Sequence, residues 1–229
     1  MGDKKSVVVF DLDGTLADTS GDLIAAANVC FRAMGVGDML DPACDAPTAL
    51  RGGRAMLALG LKRLGREGDE AEIDRQYPVL LEAYGKEIDH FTTFYPNAME
   101  VVRDLKTRGY GVAICTNKPE ALADLLMEKL GVLHEFDALV GADTLPVRKP
   151  NPEPYFEAVR RSAGGDVPGL LVGDSDTDFK TSRAAGVPSV LVNFGPAADE
   201  IKHLEPDATI ESFLELPGVV ERLLQVRID

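Results

Sequence analysis

Residues 6–15 read SVVVFDLDGT, an apolar run that passes directly into two aspartates separated by one leucine. The run is continuously hydrophobic rather than alternating, a pattern typical of a strand buried on both faces of a parallel sheet. Four later runs have the same character and lie at residues 111–116, 138–141, 169–173 and 189–193. The sequence therefore predicts a parallel sheet built from these five strands.

Helical segments with clear start and stop signals lie between the later runs, at residues 97–108, 119–130, 152–162 and 176–185. Asn97 is the candidate N-cap of the first segment, and glycine follows the end of each one. Strands that alternate with helices build βαβ units. We expect an α/β fold with a doubly wound, Rossmann-like parallel sheet as its core.

The connection between the first two strands is too long for a plain crossover. It spans about a hundred residues, whereas a crossover needs ~10–12. The span contains helical segments at residues 18–34, 53–64 and 69–89, the last interrupted by Pro78. We therefore predict an all-helical cap at 17–91, inserted into an α/β catalytic core formed by 1–16 and 92–229.

Composition excludes several classes of function. The net charge of −14 opposes binding to nucleic acid and to anionic membranes. The sequence has no apolar run of the ~18 residues that a membrane span needs, and its start does not resemble a secretory signal. The three cysteines, Cys30, Cys44 and Cys115, form no C-x-x-C pair. We expect a cytoplasmic protein whose thiols stay reduced, with an oligomeric state that the sequence leaves open.

Asp11 and Asp13 follow the first strand, two residues apart. Their side chains project in the same direction if the strand continues, and two close carboxylates must share a cation or a proton. Oxygen ligands of this kind suit Mg²⁺, while Gly14 and Thr15 permit a sharp exit of the chain. The competing interpretation is an ordinary turn, since Asp and Gly are common turn residues.

The ends of two further strands carry groups that could hold a phosphate. Thr116 and Asn117 precede a helix and offer a hydroxyl and an amide, although plain helix capping is the alternative. Lys149 lies between Arg148 and Pro150 in a proline-rich loop. It could neutralise a phosphate as a point charge, or it could be a solvated loop lysine.

Asp174 and Asp178 belong to an acidic cluster after the fourth strand, residues 173–178 (GDSDTD). Acids near a helix N-terminus compensate the helix dipole, which is sufficient to explain Asp178. Asp174 comes directly after an apolar strand, where a carboxylate is costly unless it is paired or bound to a metal. Ligands of open parallel sheets bind beyond the carboxyl ends of the strands, so all these groups should meet at one edge.

The four motifs resemble those of the haloacid dehalogenase superfamily over nearly the whole chain. They are residues 11–15 (DLDGT), Thr116-Asn117, Lys149, and Gly173-Asp174 with Asp178. The helical insertion is similar to that superfamily's cap. Within it, residues 16–19 (LADT), Asp22-Leu23 and residues 25–28 (AAAN) resemble phosphoglycolate phosphatases.

This resemblance, together with the chemistry of the groups, implies an Mg²⁺-dependent phosphatase that forms an aspartyl-phosphate. Asp11 would attack the phosphorus, and Asp13 would protonate the departing alkoxide and then deprotonate water. The transferring oxygens would be held by Thr116, Asn117 and Lys149. The Mg²⁺ would be bound by Asp11, the backbone oxygen of Asp13 and Asp174, with Asp178 orienting the site.

The predicted cap should select the substrate, a small phosphorylated metabolite with phosphoglycolate as the first expectation. Residues 51–54 (RGGR) precede a cap helix. Arg51 and Arg54, with the backbone N–H group of Gly53, could bind a substrate carboxylate. A simple helix start with solvated arginines is the competing interpretation.

Other reactions of the same superfamily remain alternatives. A sugar phosphomutase would need cap groups that guide a sugar hydroxyl, and residues 18–34 contain no histidine for that purpose. A dehalogenase or a phosphonatase does not need an acid/base residue at Asp13. A pyrophosphatase and a binding module without catalysis are further alternatives, the last disfavoured because every motif residue is present.

Overall fold

The structure is a computed structural model that describes residues 6–225, so the two ends of the predicted core, 1–5 and 226–229, lie outside the described residues. The chain divides into two compact units. The first comprises the chain up to Ala17 and from Phe94 onward, and the second is Asp18–Thr93. The sequence places this boundary at 17–91, and the role of the second unit as a catalytic cap stays a prediction.

A six-stranded sheet forms the centre of the first unit, in the order β5-β4-β1-β6-β7-β8. Every neighbouring pair is parallel, which confirms the predicted α/β fold with a doubly wound sheet. The strands are β1 Val7–Phe10, β4 Gly111–Cys115, β5 Ala138–Val140, β6 Gly169–Gly173, β7 Ser189–Val192 and β8 Ala208–Ile210. The sequence predicts the first five. Strand β8 was missed because it is a three-residue edge strand with an exposed middle residue.

Strand β1 lies in the middle of the sheet, and all four of its residues are buried, as a continuous apolar run requires. Its last residue, Phe10, is in register with Ile114 of β4 and with Val172 of β6. The carboxyl ends of three adjacent strands therefore coincide. Side chains that follow these strands emerge at the same edge of the sheet.

The helices are α1 Ser20–Ala33, α2 Pro42–Leu50, α3 Gly53–Arg63, α4 Glu70–Lys86, α5 Ala98–Thr107, α6 Glu120–Lys129, α7 Glu153–Ala163, α8 Asp176–Ala185 and α9 Leu216–Gln225. Helices α1 to α4 belong to the second unit, and the others to the first. In the first unit, Tyr155 and Val159 of α7 pack against Val7 and Val9 of β1. Within residues 6–225, no helix combines the length and the hydrophobicity that crossing a lipid bilayer requires.

One local expectation about helices was wrong, and a second was right in position only. Pro78 does not interrupt the helix, because α4 continues through it without a break. A proline there removes one backbone hydrogen bond, and the burial of Ile73, Leu80 and Tyr84 on both sides of it offsets that loss. Asn97 is the N-cap residue of α5 as predicted, but its backbone is left-handed with φ 64° and its side chain makes no cap hydrogen bond among the described residues.

The first predicted cap helix begins later than expected, at Ser20 instead of residue 18. Residues Ala17–Asp18 form a short strand, β2, which pairs with a second short strand, β3, at Thr93–Phe94. In the second unit, the buried Asp22 carboxylate accepts hydrogen bonds from the backbone N–H groups of Phe91 and Thr92. That carboxylate ties the start of α1 to the chain that leaves the helical unit.

Candidate active site

Asp11 stands at the end of the central strand. Its backbone N–H group donates to the carbonyl of Val172 at 2.9 Å, so the parallel ladder extends one residue beyond β1. The carboxylate oxygen Oδ1 accepts a 2.7 Å hydrogen bond from the N–H group of Leu12. Gly14, at φ 83°, then turns the chain in a conformation that favours glycine. The side chain of Asp11 is thereby fixed at the edge of the sheet.

Lys149 forms an ion pair with Asp11. Its ammonium lies 2.9 Å from Oδ1 of Asp11 and 2.7 Å from Oδ1 of Asp178, and its side chain is 1% exposed. The amide of Asn117 donates to the backbone carbonyl of Lys149 at 3.0 Å. The interpretation of Lys149 as a solvated loop lysine is therefore wrong. Asn117 anchors the lysine loop, and its predicted contact with substrate stays a prediction.

Asp174 directly follows β6 and Asp178 lies in the first turn of α8, and both are buried. Asp174 accepts a 2.8 Å hydrogen bond from the hydroxyl of Thr15. Asp178 accepts from Lys149 and from the hydroxyl of Ser175, which caps α8. A Cβ atom on Gly173 would lie 2.3 Å from the Cβ atom of Asp178, so only glycine permits this approach.

These three carboxylates form a cluster suited to a divalent cation. One oxygen from each of Asp11, Asp174 and Asp178 lies within 4.8 Å of the others. Lys149 adds one positive charge, which leaves a formal charge of −2. Three oxygen donors with that residual charge fit Mg²⁺.

The pKa values of the cluster reflect its burial and its excess of negative charge. Burial raises the pKa of Asp11 to about 7, against the opposing effect of Lys149. Burial and the neighbouring Asp178 raise the pKa of Asp174 well above its usual value. Burial alone would lower the pKa of Lys149, but Asp11 and Asp178 raise it, so the ammonium stays charged. Without a further positive charge, these carboxylates are costly to ionise together.

Thr116 is buried directly after β4, and its hydroxyl accepts a 3.1 Å hydrogen bond from the N–H group of Lys118. Helix capping does not explain Thr116 or Asn117. The residue before α6 is Pro119, and the first N–H group of that helix, on Glu120, is satisfied by the carboxylate of Asp143. The capping alternative is therefore wrong for this motif.

Asp13 pairs with a residue to which the sequence assigns no role. The ammonium of Lys118 lies 2.6 Å from Oδ1 of Asp13, and the two side chains are 3% and 16% exposed. Lys118 follows Thr116-Asn117 directly, and this position after a strand is the sequence feature that could have identified it as a site residue. Thr15 was likewise treated as part of the chain exit, although it orients Asp174.

The structure brings the predicted core residues together at one edge of the sheet: Asp11, Asp13, Thr116, Asn117, Lys149, Asp174 and Asp178. Arg51, Gly53 and Arg54 belong to the second unit and are described within it. Gly53 begins α3, and Arg51 directly follows the last residue of α2. Arg54 forms ion pairs with Glu70 at 2.9 Å and Asp74 at 2.7 Å. Their contact with a substrate stays a prediction.

A model of the haloacid dehalogenase-like hydrolase family matches residues 8–192, so the chain belongs to this family. The phosphoglycolate phosphatase of Mesorhizobium japonicum is 37% identical over 222 residues, covering 96% of this chain and 97% of that protein. The phosphoglycolate phosphatase of Agrobacterium fabrum is 36% identical over 222 residues, with 95% and 94% covered. Together, the family and these relatives identify the chain as a phosphatase.

The solved structures agree with this assignment. The crystal structure of a predicted phosphoglycolate phosphatase from Haemophilus somnus has a TM-score of 0.79 with this chain. The two are 25% identical, and the match covers 96% of this chain and 99% of that one. The resemblance to the haloacid dehalogenase superfamily, first found in four short motifs, is therefore confirmed over the whole fold.

Proposed function

We propose that this phosphatase is an Mg²⁺-dependent phosphoglycolate phosphatase that works through an aspartyl-phosphate on Asp11. The observation that carries the proposal is the charge of the buried cluster. Asp11, Asp174 and Asp178 share one ammonium, from Lys149, and keep a formal charge of −2. A divalent cation would balance that charge and leave Lys149 to face the phosphate.

The Mg²⁺ would be held by the carboxylates of Asp11 and Asp174 and by the backbone oxygen of Asp13. Asp178 would orient Lys149, to which it is hydrogen-bonded. When bound, the ion would supply positive charge that screens the nucleophile from the anionic phosphate and stabilises the transition state. The carboxylate oxygens and the residual charge support Mg²⁺ over softer metals, which prefer nitrogen or sulfur ligands.

The first half of the reaction is the transfer of the phosphoryl group to Asp11. A carboxylate oxygen of Asp11 would bond to phosphorus as the bond from phosphorus to the substrate oxygen breaks. Thr116 would donate its hydroxyl to a transferring oxygen, and the ammonium of Lys149 would face another. Asp13 would give its proton to the departing alkoxide, which leaves as glycolate.

The second half releases phosphate and restores the enzyme. Asp13, now a carboxylate, would take a proton from a water molecule as the water oxygen bonds to phosphorus. The bond between phosphorus and Asp11 breaks, which frees inorganic phosphate and the Asp11 carboxylate. The sum is one ester and one water converted to one alcohol and one phosphate, with both aspartates returned to their starting forms.

The choice of phosphoglycolate rests on the relatives that carry this name and on the RGGR segment. Arg51 and Arg54, with the N–H group of Gly53, would bind the substrate carboxylate. Exposed ion pairs such as those of Arg54 are worth little, so exchanging an intramolecular partner for a substrate costs little free energy. An enzyme of this kind acts on a free metabolite and needs no nucleic acid or membrane.

The test is a panel of phosphorylated metabolites assayed with Mg²⁺ and, in parallel, with EDTA. The panel contains phosphoglycolate, inorganic pyrophosphate, nucleoside monophosphates, hexose phosphates and p-nitrophenyl phosphate. We expect the highest kcat/KM with phosphoglycolate and loss of all turnover in EDTA. A higher kcat/KM with another compound would show that phosphoglycolate is not the preferred substrate. Turnover that survives EDTA would overturn the metal-dependent mechanism.

A matched comparison separates hydrolysis from the mutase alternative. Incubation with a hexose 1-phosphate and catalytic bisphosphate would yield the 6-phosphate if the chain were a phosphomutase. We expect free phosphate and no isomer, because residues 18–34 have no histidine to guide a sugar hydroxyl. Accumulation of the 6-phosphate would contradict the proposal.

A further inference from the structure

The ion pair between Lys118 and Asp13 is a second buried charge pair in the active site. The Nζ atom of Lys118 and the Oδ1 atom of Asp13 are 2.6 Å apart, and the lysine side chain is 3% exposed. A lysine is almost never buried to this degree unless it has a specific partner. The pair is separate from the contacts that Lys149 makes with Asp11 and Asp178. Each aspartate of the D-x-D motif therefore has its own lysine.

The backbone of Lys118 is held on both sides. Its N–H group donates to the hydroxyl of Thr116 at 3.1 Å, and its carbonyl accepts a 2.9 Å hydrogen bond from the N–H group of Ala142. Strand β4, which precedes it, is paired in register with β1, which precedes Asp13. The hydrogen-bonded backbone at the edge of the sheet therefore restrains the position of the Lys118 ammonium. A side chain held in this way can fix the geometry of its partner.

We propose that Lys118 is a positioning residue that holds the carboxyl group of Asp13 for proton transfer to the leaving group. The inference rests on the proposed function, in which Asp13 is the general acid and base. Because Lys118 donates to Oδ1, the pair fixes the orientation of the Asp13 carboxyl group. Orientation of this kind is a large part of what positioned catalytic groups contribute.

Lys118 exchanges no proton in either half of the reaction. In the first half, the proton on Asp13 passes to the substrate oxygen as its bond to phosphorus breaks and the bond to Asp11 forms. In the second half, Asp13 takes a proton from water as phosphate leaves Asp11. The lysine keeps its three protons throughout and restrains one carboxyl oxygen. Lys118 should therefore increase the rate most for substrates whose leaving group must be protonated.

The experiment compares two substrates in Lys118→Met, which removes the charge and keeps a side chain of similar length. The leaving alkoxide of phosphoglycolate needs a proton, whereas p-nitrophenolate is stable without one. The value of kcat/KM reports the steps up to the phosphoenzyme, so it contains the leaving-group step. We expect kcat/KM to fall about 10- to 100-fold for phosphoglycolate, part of the 10²–10⁴ typical of general acid catalysis, and by about threefold or less for p-nitrophenyl phosphate.

Two further variants complete the test. Lys180→Met removes a lysine that is 61% exposed and paired with Asp176 on its own helix, and it should leave both substrates unaffected. Asp13→Asn should show the same dependence on the leaving group, and adding Lys118→Met to it should lower kcat/KM by about twofold or less, because the two residues act as one unit. If Lys118→Met does not fold by circular dichroism, Lys118→Arg replaces it. That variant keeps the cation and should retain the wild-type ratio between the two substrates.

Three outcomes would overturn the proposal. An equal loss for both substrates with a raised KM would make Lys118 a contact of the phosphate itself. No loss for either substrate, or an altered substrate ratio in Asp13→Asn that Lys118→Met does not share, would leave the pair without a catalytic role. Failure of the proposed function is distinguishable, since wild-type protein would then lack turnover of phosphoglycolate that EDTA abolishes.

Discussion

The charged residues of the core site and those of the helical unit differ in burial and in balance. Lys149 and Asp178 are each 1% exposed, and their cluster keeps a surplus of negative charge. Arg54 of the helical unit is 44% exposed and already has two carboxylate partners, Glu70 and Asp74. The core cluster is therefore balanced only by protons or by a further cation, whereas the carboxylates around Arg54 already have a cation partner.

Buried and exposed charges differ in what they imply about a ligand. A buried and unbalanced cluster is expensive, so its existence points to the group that balances it. An exposed arginine changes little in free energy whether or not it keeps its ion-pair partner, so it indicates no ligand by itself. The buried core cluster therefore supports the proposed reaction. The proposed role of the helical unit in substrate selection is tested by the arginine variants.

The largest effect is expected from Asp11→Asn. The amide cannot form the acyl phosphate, so turnover of every substrate should be abolished while the fold is retained. Activity with p-nitrophenyl phosphate and thermal unfolding measure the two properties. Normal turnover in this variant would refute the covalent mechanism. The matched control is Asp176→Asn, which alters an exposed carboxylate paired only with Lys180 among its described ion pairs.

Metal binding should depend on Asp174 more than on Thr15. Asp174→Asn removes a proposed ligand, and Thr15→Val removes the hydrogen bond that orients it. Loss of an orienting partner typically weakens metal affinity about 10- to 100-fold, so Asp174→Asn should exceed that range. The measurement is the Mg²⁺ concentration for half-maximal activity of each variant. Equal Mg²⁺ requirements in all three proteins would contradict the proposed ligand set.

The effect of Mg²⁺ on stability should grow with pH. The folded-state pKa of Asp11 is raised to about 7, so its ionisation opposes folding, and metal-free protein should lose stability as pH rises from about 4 to about 7. Mg²⁺ binds the ionised form and should reverse that loss. The shift in the unfolding midpoint caused by Mg²⁺ should be larger near pH 8 than near pH 6. Asp174→Asn in EDTA should unfold at a higher temperature than wild type, because one buried charge is gone.

The smallest effect is expected from the arginines of the helical unit. Arg51→Ala and Arg54→Ala should raise KM for phosphoglycolate about tenfold, the value of one charged hydrogen bond of about 1.4 kcal/mol, and leave kcat nearly unchanged. KM for p-nitrophenyl phosphate, which has no carboxylate, should stay within about twofold of wild type. Arg75→Ala is the control, since Arg75 is exposed and paired with Glu72 in the same unit. An unchanged KM for phosphoglycolate would remove both arginines from the substrate site.

Much of the core was predictable because its signals are local. The first strand and the aspartates that follow it are adjacent in the sequence, and a parallel sheet aligns the ends of its strands whatever the loops do. The end of β1 therefore predicted the position of Asp11, and the end of β6 predicted that of Asp174. Family resemblance then supplied roles that geometry alone leaves open.

The missed features depend on partners far apart in the sequence. Lys118 and Asp13 are separated by 105 residues, and Thr15 and Asp174 by 159, so neither contact has a local signal. The cap of α6 is likewise Asp143, from another loop, rather than a neighbour in sequence. Pro78 shows the opposite case, where a strong local signal for a break is overridden by packing within the helical unit.

A crystal structure with Mg²⁺ and beryllium trifluoride, a mimic of the phosphoryl group, would test the aspartyl-phosphate mechanism most directly. We expect beryllium bonded to a carboxylate oxygen of Asp11, with Thr116 and Lys149 on the fluorides. We also expect Mg²⁺ between Asp11, Asp174 and the backbone oxygen of Asp13. A fluoride adduct on another residue, or Mg²⁺ bound away from Asp174, would contradict this mechanism.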